Sequence, residues 1–244
     1  MQRARRLASV AVAAALAIGG LSACRSEPDV AAYIGDRTIS VADAQHVFDD
    51  LTAKKAAQPA AAGASGAPAP APVSMPEVVS AMVTHDLVTR VAKAKNVRLP
   101  ADVPLQEIGA SIGVPGNAEY VRLYGESRLL LNSLLQAAQP GTPPDADVKH
   151  VFEVFEETGQ MKPGLTYQEF KSSVSAEALQ TLGRALNVKK DLQTEWDKAD
   201  LKINPRFASG EIPVYAENGP DNKPLNLVSI PLVDQDDATV LNKS

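Results

Sequence analysis

Between Val30 and Leu51 the period of the apolar positions changes. Ala32, Tyr33 and Ile34 form a short apolar run, Gly35-Asp36 tolerates the positive φ of a hairpin turn, and Thr38-Ile39 resumes an extended pattern. From Val41 the period lengthens: Val41, Ala44, Val47, Phe48 and Leu51 share one helical face, with Ser40 placed to cap it. The pattern predicts strand, turn, strand and helix. A hairpin this short is not stable alone. The matching segment is A-D-L-K-I-N-P-R-F, Ala199 to Phe207, whose Leu201-Lys-Ile203 is the candidate partner strand.

Helical spacing dominates what lies between. Ser74-Met-Pro-Glu77 is a capping box, and Val78, Val79, Met82, Val83, Leu87, Val88 and Val91 form the face behind it. Lys93, Lys95 and Arg98 gather near the negative end of that helix, and Leu99-Pro100 stops it. A shorter amphipathic segment carries Leu105, Ile108 and Ile112 and ends at Gly113. Asn117 is the expected cap of a long, leucine-rich helix closing at Gln139-Pro-Gly141. A further helix starts at Asp145, with Val148, Val151, Phe152 and Phe155 on one face. Thr166 caps the last helical region, which runs to Trp196 with a break near Ser172-Ser173.

Two stretches read differently. Ala53 to Pro72 is a run of Ala, Pro, Gly and Ser with little to bury, and is expected to be a disordered loop. The stretch from Ala208 to Ser244 reads as an extended, irregular tail, in which Glu211–Tyr215 and Leu225–Leu232 are open between short strands and coil. The organisation expected is 1–23 leader, 24–29 tether, 30–207 helical domain with the 53–72 loop, and 208–244 tail.

Composition sharpens this. The 244 residues are 45% hydrophobic but only 5% aromatic, so alanine and leucine carry the core, which favours helix. Arg3, Arg5 and Arg6 precede an apolar stretch from Leu7 to Ile18, shorter than the ~20 residues of a helical span, as in a cleavable secretory leader. Its end, Leu21-Ser-Ala-Cys24, resembles a bacterial lipobox, which implies diacylglycerol on the Cys24 thiol and retention on the extracytoplasmic face of the cell membrane. Cys24 is the only cysteine, so the chain forms no internal disulfide. Without the leader 21 basic residues face 29 acidic ones, a net charge of -8 that argues against a nucleic-acid partner.

Catalytic signals are sparse. The three histidines, His46, His85 and His150, stand at no motif spacing, and their expected roles are packing or capping. Glu153, Glu156 and Glu157 cluster without histidine or a glycine-centred calcium loop, as on a solvated helix face. No serine or threonine has a base at motif spacing, and no phosphate-cradling glycine loop is present. The sequence therefore assigns no catalytic residue, no metal and no cofactor.

The two ends carry a family likeness. The opening A-A-Y-I-G-D-R-T-I-S-V-A-D-A, Ala31 to Ala44, resembles the start of the SurA and PrsA-type exported chaperones. The closing Ala199–Phe207 segment resembles the end of that domain in small lipoproteins of high-GC Gram-positive bacteria that contain a SurA N-terminal domain. Pro143-Pro-Asp-Ala-Asp-Val148 and the helix after it are similar to the family's linker helix.

The resemblance implies a mostly α, SurA/trigger-factor-like chaperone module in which a small β element joins the first and last segments and the helices cradle unfolded chains. Family members with prolyl isomerase activity insert a parvulin domain after the linker helix. Here only Glu157 to Leu165 fills that place, which implies none. The function implied is an ATP-independent holdase for unfolded or newly exported polypeptides, anchored through Cys24. Met82, Leu123, Leu130 and Leu134 are its candidate peptide-binding residues, although the same spacing fits a sealed core. The alternative is a structural or accessory lipoprotein that docks one dedicated partner in the cell envelope.

Overall fold

A computed structural model describes residues 27–57, 73–219 and 224–232. The leader, Cys24, most of the expected Ala/Pro loop and the last twelve residues lie outside them. The described chain is mostly helical with two small antiparallel sheets.

Strands β1 (Val30–Ile34) and β2 (Arg37–Ser40) form the N-terminal hairpin, turning at Gly35 with φ +64°. The short β3 (Lys202–Ile203) joins β1 on its other side, pairing Ala32 with Ile203 and Tyr33 with Lys202. The strand order is β2-β1-β3, so the two ends of the expected domain meet. Asn204 fixes the junction: its backbone N–H donates to Ala31 O at 2.9 Å and its Nδ2 to Val30 O at 3.0 Å.

Helix α1 (Val41–Ala56) begins at a capping box between Ser40 and Asp43 and extends over Ala53–Ala56, where the sequence pattern had placed the start of the loop. Alanine and lysine there are good helix formers, and their small or charged side chains add no apolar face that periodicity could detect. Helix α2 (Met75–Ala94) starts at the Ser74–Glu77 box. It ends where Asn96 turns left-handed at φ +56° and Val97 N–H returns to Ala92 O. Gly113 likewise turns left-handed after α3 (Leu105–Ser111).

Helix α4 (Glu119–Ala137) lacks the expected Asn117 cap; its N-cap is Ala118, and the Glu119 N–H is satisfied by Asp50 Oδ2 of α1 at 2.9 Å. A partner 69 residues away thus replaces the local one. Helix α5 (Asp145–Glu157) carries α6 (Tyr167–Ser173) through aromatic contacts of Phe152 with Tyr167 and Phe170. The break near Ser172-Ser173 falls between α6 and α7 (Ala176–Lys198), which Ser175 caps.

Helix α2 is the axis of the core. Val78, Val79, Val83, Leu87 and Val88 are fully buried against α1, α4, α7 and β1. Each such burial contributes roughly 1.5–3 kcal/mol, so this helix holds more of the fold than its length suggests. Asp86 on the same helix is also buried. It accepts from Arg37 Nη1 of β2 at 2.5 Å and from Arg90 Nε, while Arg90 Nη2 reaches Ile34 O at 3.2 Å, so an ionic clamp seats the hairpin on α2.

The expectation of an irregular tail is corrected. β4 (Glu211–Asn218) and β5 (Pro224–Pro231) form an antiparallel hairpin packed on α7, α5 and α2, with Ile212, Val214, Leu227, Val228 and Ile230 buried. The domain therefore continues to Leu232. Bulges near Pro213 and Tyr215 interrupt the strict alternation by which a strand is recognised.

Candidate functional site

Two clefts of similar size flank the α2–α4 pair. The first, about 470 Å³, lies between the second half of α2, the returning segment 96–99 and α4. Its geometry follows from the left-handed turn at Asn96, which folds Val97 to Leu99 back beside the helix. The second, about 460 Å³, opens where β2, α1, α2 and α4 converge, with His46, Asp50, Lys54 and Glu119 on its walls.

A polar ladder connects them along α4. His85 Nε2 and Glu126 Oε2 are hydrogen-bonded at 2.8 Å, and Arg122 Nη1 donates to the same Glu126 oxygen at 2.9 Å. Arg122 also grips both oxygens of Glu119, Nε at 3.0 Å and Nη2 at 2.5 Å. The Glu119 N–H passes the chain to Asp50, whose other oxygen is 2.7 Å from Lys54 Nζ; Lys54 in turn donates to Asn117 O.

The ladder sets the local electrostatics. The Arg122 hydrogen bonds hold the Glu119 carboxyl below its usual range against the opposing effect of burial. Glu119 in turn raises Arg122. For Asp50, burial acts to raise the carboxyl, but the Glu119 N–H and Lys54 outweigh it and the net direction is down. Asp43, also on the second cleft, is lowered first by its Ser40 hydroxyl. The charges along this line are thus mutually satisfied, which suits recognition and rigidity more than proton transfer.

The predicted peptide-binding residues are separated by the fold. Leu123 and Leu134 are buried in the core and present no surface, a correction whose cause is the packing of α4 on α2 and α7. Leu130 is also buried but floors the first cleft, and half-buried Met82 lines the second. Tyr33 is the one large apolar side chain exposed among the described residues. Among the described residues the four candidates therefore share no continuous apolar surface and belong largely to a sealed core.

His85 lines the first cleft, His46 the second, and His150 a small cavity of about 50 Å³ beside β5. No group of His, Cys, Asp or Glu among the described residues is arranged to hold a metal ion. Sequence reasoning missed Glu119, Arg122 and Glu126, although their three-and-four spacing on one helix was a readable sign of pairing. It noted Lys93 and Arg98 only as dipole partners, while both stand on the wall of the first cleft.

Cys24 lies outside the described residues, and no described helix is long and apolar enough to cross a membrane. No family model, no curated protein and no solved structure matches the chain.

Proposed function

We propose that this chain is a lipid-anchored, extracytoplasmic accessory protein that binds one dedicated partner in the cell envelope and carries out no chemistry itself. The observation that carries this reading is the sealed core: of the four apolar side chains suited to hold unfolded clients, two are interior and two only touch clefts with charged walls. A general holdase needs a broad exposed apolar surface, because it must recognise many sequences through burial alone. Clefts with fixed charges and a rigid ladder between them suit a single complementary partner.

The leader and lipobox support the location, and the joining of β1 to β3 across the helices, expected from the SurA resemblance, supports a chaperone-derived frame, shared by both readings. With the tether from Cys24 to Glu27, at most about 10 Å long, the domain stays near the headgroups. The test is cross-linking of the full-length lipoprotein in its own membrane, followed by purification and, in parallel, light scattering of a diluted denatured client. One stoichiometric partner and unchanged client aggregation are expected. Dose-dependent suppression of aggregation would replace this reading with the holdase.

A further inference from the structure

The two clefts differ in one respect. In the second, the cations are already engaged: Arg37 with Asp86 and Lys54 with Asp50. In the first, Glu126 is satisfied by His85 and Arg122, but Lys93 and Arg98 form no ion pair among the described residues. Both are exposed, on a protein whose overall charge is negative. The same cleft has an apolar lining of Val97, Leu99 and Leu130. Its volume, about 470 Å³, falls within the roughly 300–1,000 Å³ of ligand sites.

We propose that this cleft is the docking site for an acidic peptide segment of the partner, in which carboxylate side chains alternate with aliphatic ones. The carboxylates meet Lys93 and Arg98 at the rim, and an aliphatic side chain covers Val97, Leu99 and Leu130. A basic segment is disfavoured by the same two cations, and a purely apolar one gains nothing from them. The Glu126–His85–Arg122 contacts fix the α4 wall, so the ordering required on binding falls on Lys93, Arg98 and the peptide. This inference rests on the partner-docking reading above and adds the chemistry of what is docked.

The first experiment is calorimetric titration of the full-length lipoprotein in detergent micelles with acetyl-Leu-Glu-Leu-Asp-Leu-amide and with its neutral analogue, acetyl-Leu-Gln-Leu-Asn-Leu-amide. The acidic peptide is expected to bind at one site, with slowed hydrogen exchange over residues 92–99. The neutral peptide, and the acidic one on Lys93→Glu/Arg98→Glu, are expected to bind about tenfold more weakly or worse. Both substituted side chains are exposed, so the variant is expected to fold as the wild type does, with a transition lowered by only a few degrees because two acidic groups then stand at the negative end of α2. Equal affinity for the two peptides, equal affinity of the variant, or no heat at about 1 mM overturns the proposal.

The second experiment repeats the membrane cross-linking with that variant. Loss of the partner supports the proposal. A partner retained at wild-type yield overturns it while the partner-docking reading stands. If the wild-type protein itself gives no stoichiometric partner, the docking reading fails, and the proposal falls with it whatever the peptides do.

Discussion

Asn204 donates its side-chain amide to Val30 O at 3.0 Å across 174 residues of chain, and so ties the last strand of the N-terminal sheet to the first. The same side chain accepts from Arg206 N–H at 3.1 Å. Asn204→Ala leaves the carbonyl of buried Val30 without this donor and is expected to cost about 1–3 kcal/mol in urea unfolding. An unchanged midpoint would mean that water replaces the amide.

Asp86 gives a comparison rather than a single number. Arg37 is 59% exposed and Arg90 30%, and Arg90 alone also holds Ile34 O. Removing Arg90 should therefore cost more, about 2–3 kcal/mol against less than about 1 for Arg37→Ala. The double variant leaves the buried carboxylate with neither cation and is expected to lose more than the two singles together. Equilibrium unfolding of the four proteins decides it.

Gly183 reverses an ordinary expectation. Glycine to alanine inside a helix usually gains about 1 kcal/mol. Here a Cβ would stand 2.0 Å from Gly141 O, where α7 meets the loop after α4. Gly183→Ala should lower stability by about 1–3 kcal/mol, whereas Gly141→Ala, whose nearest neighbour would be Asn187 Nδ2 at 3.4 Å, should stay within about 0.5 kcal/mol. Calorimetric melting of both variants tests the asymmetry.

The ladder predicts an acid response. Glu119 and Asp50 titrate lower in the folded chain than their ordinary values of 4.5 and 3.8. Near those values the unfolded chain binds more protons, so this contribution is full above about pH 5 and is lost as pH falls through the depressed folded values. Glu119→Gln should flatten the decline of stability between about pH 5 and 3 and leave a lower plateau at neutral pH. Equal slopes in the two proteins would show that the ladder does not couple folding to protons. Glu119 is half-exposed, so the effect is modest and shrinks with salt.

What the sequence disclosed and what it concealed divide along the range of the interactions. The caps at Ser40, Ser74 and Thr166 depend on a glutamate or aspartate three residues ahead, and all three are legible and present. The β1–β3 contact was legible because both segments are short apolar runs left without another partner. Asn117 misled because the decisive acceptor, Asp50, comes from another helix. The terminal hairpin was ambiguous because Pro213 and the bulges break its alternation, and only its seat on α7 selects strand over coil. The clefts were not legible at all. They arise where α2, α4 and the Asn96 turn converge, and no local period encodes that convergence.

The three-stranded sheet also sets an order in time. A nascent chain emerges from its amino end, so β1 and β2 are free long before Lys202 and Ile203 exist to cover the far edge of β1. Until then that edge offers unpaired N–H and C=O groups to any neighbouring strand. Closure across so long a separation is slow compared with forming the helices between. β3 thus acts as a completion signal for this sheet: a chain truncated before Lys202 keeps an adhesive edge, and one that extends through Ile203 conceals it.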